Sequence, residues 1–157
     1  MLERGSALNC KTTFRGSMSS SFPVVPEADA LINVVVEQGN IVRFNYPAIN
    51  SSLPLFSQIY TFFASVDEPW TYDCMFNMLP FQGHILMDEL GEFSEKWYAL
   101  IGGRDVGRRV ASVSTDPLTR ERFPLYLQLF PTRSFRLCST VEEGYEFLRT
   151  GEGAYIL

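Results

Sequence analysis

The sequence predicts an α/β domain built on a single mixed sheet of about five strands, with elements in the order β-β-α-β-α-β-α-β-α. Three observations carry that prediction. Short runs rich in Val, Ile and Phe alternate with longer stretches of helical periodicity. The first two runs are separated only by a glycine-containing turn, so the sheet opens with a hairpin. Helix start and stop residues stand at the junctions between the runs. With 157 residues, 46% of them hydrophobic and 20% charged, the chain suits one domain whose core offsets chain entropy without metals or disulfides. Strands alternating with helices imply parallel neighbours joined by right-handed crossovers.

Leu31–Glu37 (LINVVVE) and Asn40–Tyr46 (NIVRFNY) are β-rich and flank Gln38-Gly39, where Gly39 is free to take the positive φ of a tight turn. Ser51 and Ser52 precede LPLFSQIYTFFAS, in which Leu55, Ile59, Phe62 and Phe63 recur at helical spacing and Pro54 falls in the first turn, where its missing donor costs nothing. Asp67-Glu68-Pro69 breaks the chain before a third strand, Tyr72–Leu79, apolar on both faces and therefore expected inside the sheet. Pro80 and Gly83 end it. From Ile85 to Ile101 a stripe of Leu86, Leu90, Phe93, Trp97, Leu100 and Ile101 opposes Asp88, Glu89, Glu92 and Glu95, and Gly102-Gly103 stops the helix.

The fourth strand is Arg109–Ser114. Asp116 is placed to cap the following helix, with Pro117 at its first position. Pro124 is expected to kink or divide that helix, since it removes a hydrogen bond and crowds the carbonyl of Arg120. Ser134–Cys138 makes a short fifth strand, and Thr140-Val-Glu-Glu143 reads as a capping box opening the last helix through Leu148. Residues 1–26 mix Ser, Thr, Arg and Pro and read as a disordered tail, within which Met18 offers an alternative start. Residues 27–150 form the domain and 151–157 a C-terminal tail that either adds to a sheet edge or trails off.

The net charge of −5 opposes general nucleic-acid binding. The charge is unevenly spread: residues 104–136 carry seven Arg, while 67–95 carry seven acids and no Lys or Arg. Cys10, Cys74 and Cys138 form neither a disulfide framework nor a zinc pattern, which suits a reducing cytoplasm. No apolar run is long enough to span a bilayer, so stable membrane insertion is not expected.

Candidate chemistry is sparse. His84 is the only histidine, and no Gly-x-Ser-x-Gly elbow accompanies it. His84 and Asp88 at helical spacing, with Glu92, could hold a metal only without a second imidazole, and a surface ion pair is the simpler reading. Cys138, among apolar neighbours, reads as buried and inert. Gly102-Gly-Arg-Asp-Val-Gly107 has the glycines of a phosphate loop but neither its Lys nor its Ser/Thr, and it leads into a strand. The turn Ser114-Thr115-Asp116 lies where open α/β sheets gather ligands, yet a capping Asp116 would compete with any anion for the same amides. Arg120 lies one helical turn further on. No cofactor is implied.

The stretch RRVASVSTDPLTRERFPLYLQLFPTRSFRLCSTVEEGYEFL resembles the closing half of small bacterial proteins of the STAS superfamily, which includes anti-sigma-factor antagonists, SEC14-like domains and sulphate-transporter appendages. The matching pieces are Arg109–Val113, Arg136–Cys138 and Glu143–Leu148, with Gly144 for an alanine and Phe147 for a tryptophan; the resemblance spans residues 31–149. Antagonists of that superfamily carry a phosphorylatable hydroxyl after the third strand, whereas this chain has Asn77-Met-Leu-Pro-Phe-Gln-Gly83. The resemblance implies a non-catalytic, STAS-like domain that binds another protein or an apolar small molecule, the leading expectation being a binding or regulatory module with a protein partner. The expected partner or ligand surface comprises Ser114, Thr115, Asp116, Arg108, Arg109 and Arg120, with Arg133 nearby, or else the aromatic helix Leu53–Phe63 if Phe56, Tyr60 and Phe62 are exposed. Two alternatives stand beside it. Carriage of a lipid or other apolar small molecule is suggested by the 22 aromatic residues, and a small hydrolase-like enzyme would use His84 with Asp88 or Asp116. Self-association into a homodimer stays open.

Overall fold

In the computed structural model, which describes residues 31–156, the chain enters its sheet through a hairpin. Strand β1 (Asn33–Glu37) pairs antiparallel with β2 (Ile41–Asn45), and the turn between them takes positive φ at Gly39 (78°) and Asn40 (58°). The tail expected over residues 1–26, and the alternative start at Met18, lie outside the described residues. After the hairpin come α1 (Leu53–Ser65), a 3-10 turn at Pro69–Thr71, β3 (Asp73–Asn77), α2 (Met87–Ile101), β4 (Arg109–Val113), α3 (Pro117–Gln128), β5 (Ser134–Cys138) and α4 (Val141–Thr150). The sheet is a mixed α/β sheet of five strands in the order β1-β2-β3-β4-β5, with every pair after the first parallel.

This sequential order determines where the helices lie. Three crossovers of one hand, each stepping to the next strand in the same direction, must place their helices on one face of the sheet. Accordingly, Leu55, Ile59 and Phe63 of α1, Leu90, Phe93 and Trp97 of α2, and Phe123, Tyr126 and Leu127 of α3 share one core with Val42, Phe44, Cys74 and Val110 of the strands. The opposite face is left to α4, where Phe147 and Leu148 pack on Met75, Ala111, Val113 and Cys138. Phe44, fully buried, anchors the thicker layer: its ring stacks on Phe76 at 5.3 Å and meets Phe62 and Phe63 at 5.6 Å each.

Helix ends follow their local chemistry. Asp116 accepts from Thr119 N at 2.9 Å and Thr140 from Glu143 N at 3.2 Å. Glu143 completes a variant of the capping box by accepting from Ser139 N rather than from Thr140 N. Gly102 closes α2 in the left-handed conformation (φ 62°). Ser52 precedes α1 without capping it; its hydroxyl donates to Glu89, tying the first turns of α1 and α2 together.

Two sequence expectations are corrected. Pro124 does not divide its helix, which runs unbroken from Pro117 to Gln128. Buried Phe123, Tyr126 and Leu127 pin both sides of the proline to the core, so packing outweighs one lost hydrogen bond. The second helix begins at Met87, not at Ile85, so His84 stands before the helix and shares no helical face with Asp88. The C-terminal tail lies against the edge of the sheet, with Tyr155 N donating to Phe135 O at 2.7 Å and its ring 5.8 Å from that of Phe123. No helix among the described residues is long and apolar enough to cross a membrane.

Candidate functional site

Six residues marked by the sequence fall into two groups at opposite ends of β4. Ser114, Thr115, Asp116 and Arg120 lie beyond its carboxyl end, Arg108 and Arg109 at its amino end, about 16 Å away along an extended strand. They do not form one site. Arg109 is committed to the fold: its guanidinium donates to Leu148 O at 2.8 Å at the end of α4, and its backbone N–H donates to Asp73 at 2.8 Å. Arg133 is buried, which removes it from any surface patch. The exposed arginines of the set are Arg108 and Arg120.

The Ser114–Asp116 turn satisfies itself. Ser114 is buried, donates its N–H to Cys138 O at 3.0 Å and accepts from Asp116 N on its hydroxyl at 3.2 Å. Asp116 Oδ2 accepts from both the amide and the hydroxyl of Thr119 at 2.9 Å. The Thr119 amide is the chief cause holding the Asp116 carboxyl below its usual range, with His84 a lesser one. His84 Nδ1 lies 3.9 Å from Asp116 Oδ2, both side chains well exposed, so the fold brings this pair together but encloses it in no cleft. Among the described residues no cluster of three His, Cys, Asp or Glu could hold a metal. The aromatic helix does not offer a bare face either: Phe56 is buried, and Tyr60 and Phe62 are half-buried against the core.

The feature that sequence reasoning did not find lies between the sheet and α1–α3. An apolar cavity of about 90 Å³ lies there, partly open to solvent. Its floor is Cys74, Phe76, Val110, Ser112 and Phe135 of the sheet. Its roof comes from Phe56, Ile59 and Phe63 of α1, Leu90, Phe93 and Trp97 of α2, and Phe123 and Tyr126 of α3. Tyr46, Met78 and Ile85 line it beyond the carboxyl ends of β2 and β3, and Phe130 and Arg133 from the connection between α3 and β5.

A buried ion pair sits at the amino end of the sheet. Asp105, 1% exposed, accepts from Arg133 Nε at 2.6 Å, from Trp97 Nε1 at 3.0 Å and, on its other oxygen, from Thr132 Oγ1 at 2.8 Å. Burial alone would raise the Asp105 carboxyl, but the hydrogen bond and charge of Arg133, with Thr132 and Trp97, bring it below its usual range. The glycine-rich loop 102–107 that superficially suggests a phosphate cradle carries this carboxylate, which is turned onto Trp97, Thr132 and Arg133. Arg133 Nη1 donates to Tyr72 O at 3.0 Å and to Cys74 Sγ at 3.3 Å, and its guanidinium lies 4.8 Å over the Trp97 ring. Its Nη2 is buried and has no partner among the described residues. Burial pushes the Cys74 thiol up to about 11 despite the neighbouring guanidinium, so this sulfur is no nucleophile.

The ion pair left no mark in the sequence, because the acid and the base stand 28 positions apart, and a cavity, as a remainder of side-chain volumes, leaves only a compositional one. The surplus of aromatic residues was the one available signal. The chain matches no family model, no curated protein and no solved structure.

Proposed function

We propose that this chain is a non-catalytic, STAS-like binding module that holds a small apolar molecule between its sheet and the helices α1, α2 and α3. The cavity carries the reading. A gap of about 90 Å³ among aromatic side chains leaves its inner wall short of dispersion contacts, which an apolar ligand would restore. Its size admits a single ring or a short branched chain, well short of the pockets of about 300 Å³ or more that take larger ligands. The self-satisfied Ser114–Asp116 turn and the exposed His84–Asp116 pair lend no support to hydrolytic chemistry. Two of the arginines expected to meet a protein partner, Arg109 and Arg133, are engaged within the fold.

Benzene tests the reading. Titration of the full chain, followed by ¹H–¹⁵N and methyl NMR, should shift the Trp97 indole and the Val110 and Ile85 methyls in a saturable way and leave Val34 and Val36 unmoved. Val110→Phe, which fills the cavity, should abolish those shifts. Shifts that never saturate, or that persist in a folded Val110→Phe protein, would remove the basis for the proposal.

A further inference from the structure

Ser112 is a polar break in the floor of the cavity. It belongs to β4, an inner strand, with Phe76 of β3 and Leu137 of β5 as its register partners. Side chains alternate along a strand. Val110 joins the core under α1, α2 and α3, while Ala111 and Val113 join the cluster under α4, so the Ser112 side chain rises on the cavity side, where it lines the space. Ala111 and Val113 are 0% exposed and close the other face, yet Ser112 keeps 7% of its surface open. With a strand on each flank and α4 behind, that surface opens onto the cavity. Phe76 beside it is also only half-buried although its strand is internal, which places the opening over this pair.

The hydroxyl has nothing to bond. Ser112 Oγ has no hydrogen-bond partner among the described residues, and it is not one of the partnerless atoms sealed inside the protein, which are Arg43 Nε and Arg133 Nη2. A hydroxyl taken from bulk water and left unpaired is unfavourable, so a purely apolar floor would be better served by alanine here. Because a serine hydroxyl both donates and accepts, a ligand oxygen of either kind satisfies it. Charge narrows the class. Arg133, the ionised group of the lining, is matched by Asp105, so a charged ligand would enter apolar surroundings without a counter-charge. Resting on the reading of the cavity as a ligand site, we infer that it takes an uncharged molecule with an apolar body and a single hydroxyl or carbonyl oxygen, of the phenol or ketone class, oriented by a hydrogen bond to Ser112 Oγ. Phe76, Phe93 and Val110 meet the body.

Phenol and toluene, equal in shape, test the inference by NMR titration of the full chain at pH 7. Phenol should shift the Val110 methyls saturably, and its ortho protons should give stronger NOEs to the Ser112 β-protons than its para proton does. In Ser112→Ala the affinity ratio of phenol to toluene should fall at least threefold, the loss of about one hydrogen bond, while toluene binds at least as tightly as before. Benzoate should not bind. If the variant does not fold, the NOE pattern in the native protein decides alone. An unchanged ratio, the result if a water serves the hydroxyl instead, overturns the assignment to Ser112 and leaves the cavity reading standing, as do NOEs led by the para proton or binding of toluene without phenol. Saturable binding of benzoate overturns the uncharged class. Silence from phenol, toluene and benzene alike removes the cavity reading, and this inference with it.

Discussion

Replacing Arg133 by Met keeps most of the side-chain volume and removes the charge that balances Asp105. Asp105 is 1% exposed and would retain only its hydrogen bonds from Trp97 and Thr132, so a carboxylate would be left in an apolar surround without a counter-charge. Breaking a buried pair on one side costs about 3–5 kcal/mol. For a chain of this size that lowers Tm by roughly 6–20 °C. The pH dependence identifies the cause. In the native protein the Asp105 carboxyl lies below its usual range, so its stabilising contribution is complete above a pH of about 4 and is lost as pH falls through the folded-state value. In Arg133→Met, burial acts nearly unopposed and raises the carboxyl, so the variant loses stability as pH rises. The gap between the two proteins should therefore be widest near neutrality and close toward pH 3. Asp105→Leu/Arg133→Met removes both charges; it should lie about 1–3 kcal/mol below native because Trp97 Nε1 loses its acceptor, with a deficit that does not shrink on acidification in the same way. Urea unfolding followed by Trp fluorescence from pH 3 to 8 measures all three. A deficit for Arg133→Met that stays constant across that range, or one below about 1 kcal/mol, would refute the account of the pair.

Gly83→Ala should destabilise by about 1–3 kcal/mol, since its Cβ would lie 2.2 Å from Asn50 O, a backbone atom. Gly144→Ala should cost less, because the nearest obstacle is the flexible Met75 Cε at 2.8 Å and alanine gains roughly 1 kcal/mol of helix propensity; paired thermal melts compare them. Asp116→Ala should lose the cap of α3, about 1 kcal/mol at pH 7. That loss should vanish in acid, because a carboxyl held below its usual range contributes above that range and ceases to as it protonates; denaturation at pH 7 and pH 3 checks it. Cys74 and Cys138, both 2% exposed and with raised thiol values, should resist iodoacetamide in the native protein and react in urea, read by peptide mass mapping.

The fold was legible because its signals are local. Gly39 marks the hairpin, Pro54 and Pro117 open helices, Gly102 closes one, and the hydrophobic period switches between strand and helix at each junction. Where reading failed locally, at Pro124 and at Ile85-Leu86, the deciding influence was tertiary: flanking core residues hold α3 together, and Leu86 is exposed outside α2. The site failed differently. Polar corners and arginines are conspicuous in a sequence, yet Ser114 and Asp116 serve the backbone, and Arg109 holds the end of α4. The glycines beside Asp105 suggested a phosphate loop, whereas the loop serves to turn its own carboxylate onto Trp97, Thr132 and Arg133.

The location of the cavity follows from the topology. A sheet that adds strands strictly in order, with crossovers of one hand, assigns three helices to one face and leaves the other to whatever follows the last strand. Here that is α4 alone, which covers Met75, Ala111 and Val113 and reaches β2 through Tyr145, whose hydroxyl accepts from Arg43 Nη1 at 2.6 Å. The space between layers lies on the thicker side, where three helices with differently placed aromatic rings meet one sheet surface. The rings of Phe93 and Trp97 lie 25° from parallel, while that of Phe63 stands nearly upright to Trp97 at 81°, so flat groups that cannot subdivide border the void. Small aliphatic residues could rearrange to close such a space; rigid rings locked edge to face cannot. The aromatic surplus seen in the sequence thus builds the core and, by the stiffness of the same side chains, holds open the chamber between the sheet and α1, α2 and α3.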